Sequence, residues 1–351
     1  MFSLMGQTLS YGCKLSPSVQ YHIWSVFIKP VLRSGLPALP IRPNTLKTLT
    51  TFHHKVLRGI LKLSLNSPVV PLYFLLGELP MEAMLHLDIF SLFWNIWSNP
   101  HTKIHDVVKY ILKMSDNDSL TWTAHLRILF QLYSLPDPLA LLEGSLWSKE
   151  KWKEYNKTRV ISFHESALRN KAIKNYKLKY LNVQLTGLTG RPHPILSWVL
   201  TTQDVLRVRI HLKMLSGDYL CQGNLAKDRG LDPSCLLCKA HYRLHAPVED
   251  ILHVLTMCRA TSDTRLRIVP ELLNCIAKYF PTNSLLKRIN HEQLCQFILD
   301  PTSLNLPMDC RIQPNHSDLP HVMFICRNLC FALHKTRIRQ LTDLRHLSRK
   351  S

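Results

Sequence analysis

Residues 232–259 read Asp-Pro-Ser-Cys-Leu-Leu-Cys-Lys-Ala-His-Tyr-Arg-Leu-His-Ala-Pro-Val-Glu-Asp-Ile-Leu-His-Val-Leu-Thr-Met-Cys-Arg. Cys235 and Cys238 have the C-x2-C spacing that lets two thiolates from one tight loop grip a single metal, and Pro233 and Ser234 favour that turn. His253 follows, and Cys258 comes five positions after it. Three thiolates and one imidazole make a tetrahedral set suited to Zn²⁺. Pro247 reads as the start of a short helix, with Glu249 and Asp250 favourable at its positive end. Five residues span about 140° too much for His253 and Cys258 to share a face of an ideal α-helix. The helix is therefore expected to end or unwind near Met257. The alternative is a turn with C-x-x-C and two unrelated core residues.

Outward from this stretch, the chain carries a resemblance. Arg207-Val-Arg209, Leu212-Lys-Met-Leu-Ser-Gly217, Cys235-Leu-Leu-Cys238 and Glu249-Asp-Ile-Leu-His253 with Cys258 stand in the order of an arginine-led helix, a Ser-Gly turn, C-x2-C, and an acidic residue ahead of H-x4-C. This order resembles the zinc-binding segment that follows the polymerase region in reverse transcriptases of non-LTR retrotransposons. A second match lies upstream. Lys29-Pro-Val-Leu-Arg-Ser-Gly35, followed by Leu46, Leu49, Phe52, Leu57 and Arg58, is similar to the thumb helices of the same family. The two matches cover about a third of the chain. The resemblance implies a mainly α fold of bundle-like helical regions with an embedded Cys3His knuckle holding a structural zinc. It divides the chain into a thumb-like region (1–100), a helical connector with a basic stretch and linker (101–200), the zinc-binding segment (201–262) and a C-terminal helical region with a basic tail (263–351).

The same resemblance sets the expectation for catalysis. The family's polymerase needs paired aspartates to hold two Mg²⁺ ions, in an aromatic-Ala-Asp-Asp turn well before the thumb. This sequence has no Asp-Asp dipeptide, and 28 residues precede Lys29. The nuclease of some members needs a Pro-Asp beyond the zinc segment, and the single Pro-Asp here is Pro136-Asp137. Neither activity is expected. A zinc hydrolase would need an open metal position, which four protein ligands do not leave.

Composition bounds the partners. Lys and Arg outnumber Asp and Glu by 44 to 24, a formal net charge of +20. Such an excess suits a polyanion, RNA or DNA first and an acidic membrane surface second. The basic residues concentrate between Ser148 and Tyr180, where ten Lys or Arg, among them Lys171, Lys174 and Lys177, face three glutamates. Trp152, Tyr155, Tyr176 and Tyr180 are interleaved. Basic side chains track phosphates and aromatic rings stack on bases, so this is either a nucleic-acid face or a solvated helix with its rings turned inward. Arg207, Arg209 and Lys213, on the helix before the knuckle, are the leading phosphate contacts, or else plain surface charges. A protein–protein scaffold, a remnant or a host-adopted helical protein, is the rival from a different class, and no small-molecule substrate is expected.

The remaining segments read as helices separated by breaks. Val19, Ile23, Val26 and Phe27 set one helical stripe, with Pro30 to kink it and Gly35 to end it. Leu46, Leu49, Phe52, Val56, Ile60 and Leu63 set another, with Lys47, His54, Lys55, Arg58 and Lys62 largely off it. Met81 to Trp97 is strongly apolar, but Glu82, His86, Asp88 and Asn95 interrupt it, so it reads as a buried helix and not a membrane span. Helices follow near 103–114 and 120–134, with the turn at Ser115 to Ser119, and again near 263–280 and 291–299. Gly187, Gly190, Pro192 and Pro194 read as a linker before the zinc unit. The last helix begins near Pro320, with Cys326 and Cys330 as small core residues beside Phe324 and Phe331. Its tail, with Arg337, Arg339, Arg345 and Arg349, reads as an electrostatic arm. The seven cysteines outside the knuckle have no regular spacing and the N-terminus reads as no secretory signal, so free thiols in the cytoplasm or nucleus are expected.

Overall fold

A computed structural model describes residues 15–348 apart from 115–120, 184–186, 189, 243–245, 280–288, 304–305, 309–310 and 314. Cys13, Cys310, Arg349, Lys350 and the turn expected at 115–119 lie outside the described residues. The fold is mainly α, as the sequence implies. Fifteen α-helices are described, and the β pairing among the described residues is one antiparallel bridge, Ser234 to Val248. No described helix is long and apolar enough to cross a membrane.

Two apolar cores organise the helices. The first draws Trp24, Leu57, Phe74, Leu168, Ile195, Leu212, Leu255, Phe297, Leu329 and their neighbours from all four regions of the chain. The second is aromatic, with Phe90, Phe93, Trp97, Phe130 and Trp152 enclosed by helices between Met81 and Val160. The helix Lys149–Ile173 joins them. Its buried residues are Trp152, Asn156, Val160, His164, Leu168 and Ala172, one row at steps of four. The final helix, Leu319–Ser348, packs against Thr202–Leu215 and Ser262–Tyr279. Its Arg327, 2% exposed, donates to the carbonyls of Ile195 and Ser197 at 2.6 and 2.8 Å.

Several expectations are corrected. The first helix buries Gln20, Tyr21, Trp24 and Ile28, while Val19, Val26 and Phe27 are exposed. A π-helical turn at Trp24–Ile28 widens the helix just before Pro30, which has no N–H to donate. Gly35 ends the segment in a left-handed conformation, φ 77°. Lys62 is buried with φ 56°, and its ammonium reaches Gln20 Oε1 at 3.2 Å. The expected linker is packed. Leu188, His193, Ile195 and Leu196 are buried, and the N–H groups of Gly190 and His193 donate to the carbonyls of Gly77 and Leu75 at 2.7 and 2.8 Å. On the last helix Phe324 is exposed and Arg337 is buried, so neither has the role its spacing suggested. A short helix, Pro138–Glu143, capped by Asp137 at 2.9 Å, lies ahead of the long helix where none was expected from the sequence.

Buried histidines are a feature of both cores. Tyr133 Oη lies 2.7 Å from His86 Nδ1 and 2.9 Å from His164 Nε2, with the His125 ring beside them. Burial pushes His86 down to about 3 and His164 to about 4. His211, bonded to the Leu299 carbonyl at 2.8 Å, is pushed down to about 3 by its own burial and then by Arg327.

Two outcomes follow. Gly77 has φ 62°, and a Cβ there would lie 2.4 Å from the Arg191 carbonyl oxygen, whereas Gly35 meets nothing within 4 Å. Gly77→Ala is expected to lower the urea midpoint well beyond the roughly 1–2 kcal/mol of left-handed strain that Gly35→Ala pays alone. Equal losses would place residue 191 away from Gly77. The neutral histidines also make the fold acid-sensitive. The unfolded chain protonates them below about 6.5 and the folded one only near 3–4, so stability is lost as pH falls through that window. At pH 5, His86 and His211 each cost about 2 kcal/mol. A urea midpoint unchanged between pH 7.5 and 5.5 would contradict their neutrality.

Candidate metal centre

The site begins with a turn. Asp232 Oδ1 accepts from the Ser234 N–H at 2.9 Å and from its hydroxyl at 2.7 Å. Backbone bonds from Cys235 N to the Pro247 carbonyl (2.8 Å) and from Glu249 N to the Pro233 carbonyl (2.9 Å) then clasp the two halves of the knuckle. Cys238 falls in the helix Leu236–Tyr242, so both thiols of C-x2-C point to one side. Pro247 does not start a helix. It lies in the clasp, and Asp250 caps the following turn by accepting from the His253 N–H at 2.8 Å.

His253 to Met257 forms a π-helical turn, closed by Cys258 N–H donating to the His253 carbonyl at 2.7 Å. Five residues fill one widened turn, so Cys258 comes round beneath His253 instead of far across the helix. Cys258 itself has left the helix (φ −60°, ψ 114°), as the spacing demands. Cys238 Sγ lies 3.5 Å from His253 Nε2 and 3.8 Å from Cys258 Sγ, and Cys235 Sγ lies 4.0 Å from Cys258 Sγ. All four ligand atoms of Cys235, Cys238, His253 and Cys258 fall within 4.8 Å of one another, and all four residues are buried. This group could hold a metal ion. The hydrogen bond from Cys235, and then the His253 imidazole, hold Cys258 well below its ordinary value, and the same bond raises Cys235. Burial raises Cys238.

The surroundings are built from charge. Glu249, 1% exposed, accepts from Arg337 Nε at 3.0 Å and Nη2 at 2.8 Å, from Gln222 N–H at 2.9 Å, and lies 3.6 Å from Cys235 Sγ. Arg265 donates to the carbonyl of Cys258 and, at 2.8 Å, to Thr261 Oγ1. Leu341 and Leu344 of the last helix pack on the cysteines. Glu249 was legible as the acidic residue before H-x4-C, but not as the partner of Arg337. Eighty-eight positions separate the two, and no spacing rule links them.

The basic candidates divide. Arg207 is engaged within the chain, paired with Asp204 at 2.9 Å and stacked over Phe324 at 5.1 Å. Arg209 and Lys213 line a cleft of about 360 Å³ with Asp218 and His334, and burial, then Arg209, lowers Lys213. Lys171 and Lys174 are exposed at the far end of the long helix, and Lys177 is half-buried in the next turn, 5.9 Å from the Tyr176 ring. The rings sort likewise, with Trp152 and Tyr180 buried and Tyr176 exposed. No protein family, curated protein or solved structure compared with the chain matches it.

Removing one partner of a buried, hydrogen-bonded ion pair strands the other, at a cost of about 3–5 kcal/mol. Arg337→Met is expected to lose about that much and to weaken metal binding. Glu249→Gln in the same chain is expected to restore part of both. A double variant no better than the single one, by urea unfolding and metal titration, would remove the pair from its role.

Proposed function

We propose that the chain is a zinc-stabilised, catalytically inactive C-terminal segment of the non-LTR reverse-transcriptase type, which binds RNA or DNA through its basic helices. One observation carries the reading. The ligand atoms of the four residues that the resemblance names lie within 4.8 Å of one another, in the resemblance's order, through a turn that does what H-x4-C needs. Zinc suits the spacing. Bonds of about 2.3 Å to sulfur give a tetrahedron with edges of about 3.8 Å, and two Sγ pairs stand at 3.8 and 4.0 Å. With four protein ligands the ion has a structural role, contributing roughly 10 kcal/mol to local folding. The knuckle then fixes the connector helices that carry part of the chain's excess charge of +20. The eight described cysteines are all free thiols, which suits a reducing cytoplasm or nucleus.

A second reading has its own observation. Val19, Val26, Phe27 and Val31 form an exposed apolar face on the first helices. Such a face suits a protein partner, as the scaffold reading requires.

The purified chain is expected to carry one zinc by elemental analysis, and Cys235→Ser to lose it. Zinc-loaded chain is expected to bind RNA or DNA with an affinity that falls steeply with salt, by about −0.9 in log–log slope per phosphate neutralised on duplex. Zinc retained with no binding at low salt would leave the scaffold reading standing and end this one.

A further inference from the structure

A cleft of about 590 Å³ lies between the first helices (17–33), Met81–Trp97 and Lys149–Ile173. Its volume is in the range of ligand pockets. Its two acids are already neutralised. Lys29 pairs with Glu78 at 3.0 Å, and Arg33 with Asp88 at 2.8 Å. Its remaining lysines are not. Lys149, Lys153 and Lys157 line the cleft, are exposed, and have no carboxylate at ion-pair distance among the described residues. They form one row at steps of four, and each step advances about 6 Å along the helix. That advance is comparable to the spacing of neighbouring phosphates on an extended strand.

A second observation is independent of charge. Asn156 lines the same cleft, is 2% exposed, and its amide oxygen is buried with no hydrogen-bond partner among the described residues. A buried polar atom without a partner is costly, and such atoms in a native fold call for an occupant. Asn156 sits where the apolar row of the helix needs a hydrophobic residue, between Trp152 and Val160. Either orientation of its amide offers a group to a base edge. Beside it, the half-buried Trp94 indole is fixed by its N–H donating to the Trp147 carbonyl at 3.2 Å, and Lys149 Nζ lies 5.4 Å from the ring centroid.

Resting on the nucleic-acid reading above, we infer that this cleft is where a single strand binds. Successive phosphates lie along Lys149, Lys153 and Lys157, one base stacks on Trp94, and Asn156 hydrogen-bonds a base edge. A base that takes the indole face releases Lys149 from the ring to the phosphate. Neither zinc-segment arginine is needed for this, and Arg207 is already held by Asp204.

The test uses the full zinc-loaded chain and a short labelled single-stranded oligouridylate, read by fluorescence anisotropy from low to physiological salt. Lys149→Gln/Lys153→Gln/Lys157→Gln is expected to weaken binding about tenfold or more, and to make the log–log salt slope shallower by about 2, from roughly 0.7 per phosphate on a single strand. Lys47→Gln/Lys55→Gln, exposed on the helix Pro43–Leu61 and outside the cleft, is expected to leave both near wild type. Asn156→Leu is expected to keep or raise the melting temperature while weakening binding, which a merely structural asparagine would not do. A triple variant that binds with the wild-type slope overturns the cleft and leaves nucleic-acid binding to another surface. A wild-type chain that binds no strand at low salt overturns the cleft and the reading beneath it. Uridine monophosphate binding as tightly as the oligomer, and lost in the triple variant, overturns the strand in favour of a small ligand.

Discussion

The bidentate pair between Glu249 and Arg337 is the constraint on which the second half of the chain depends. Glu249 is in the knuckle and Arg337 is two-thirds of the way along the last helix. The pair is nearly dry, and ion pairs taken out of water gain little on balance against their desolvation. What it provides is registration. With Arg337 fixed, Leu341 and Leu344 are delivered onto the cysteines, and Gln340 onto the Ala260 carbonyl at 2.8 Å. The same helix, a few turns earlier, is held by Arg327 to the carbonyls around Ile195. One rigid rod therefore sets the distance between the metal ligands and the main core. The cost of burying two guanidinium groups is offset in part by two bonds from Arg337 to Glu249 and three from Arg327 to carbonyls, with Arg327 Nε left unpartnered among the described residues.

The π-helical turn at His253–Met257 belongs to the same economy of position. A π turn is a less favourable backbone arrangement than an α turn, and it survives where the surroundings over-determine it. Here three restraints act together. Asp250 caps the turn, Arg265 holds the Cys258 carbonyl, and the core takes Val254 and Leu255. Protein contacts thus help to hold the four side chains that could bind a metal ion close together.

The sequence showed some of this and hid the rest for physical reasons. Pro43–Leu61 was legible from its apolar stripe, because period 3.6 is what a buried helix face writes into a chain, and Met81–Trp97 from its overall apolarity. The C-x2-C and H-x4-C ligands were legible because tetrahedral coordination restricts spacing. The first helix misled because it offers two rows at helical spacing, and the one that is buried runs through polar Gln20 with Tyr21, Trp24 and Ile28 instead of Val19, Val26 and Phe27. The buried row of Lys149–Ile173 was hidden because two of its six members, Asn156 and His164, are polar. Gly190 to Leu196 has a linker's composition, but its backbone is satisfied by helix ends far away in sequence. Local chemistry cannot report such long-range partners.

Net charge, the most obvious property of the chain, sorts by residue type once the fold is known. Several arginines turn inward. Arg58 binds the Ser67 carbonyl at 2.9 Å, Arg207 an aspartate, Arg265 and Arg327 carbonyls, and Arg337 a glutamate. A planar guanidinium with five fixed donors suits such sites, and its weak hydration lowers the cost of burial. The lysines of the long helix instead stand in solvent, where a strongly hydrated ammonium belongs. An excess of +20 therefore overstates the charge available to a partner, because much of the arginine is consumed in holding the helices together. Among the residues that stay outward, Lys149, Lys153 and Lys157 border the cleft where Asn156 Oδ1 has no hydrogen-bond partner among the described residues. That coincidence of free cation and unmet hydrogen bond, more than the total charge, is what distinguishes a binding surface from a merely basic one.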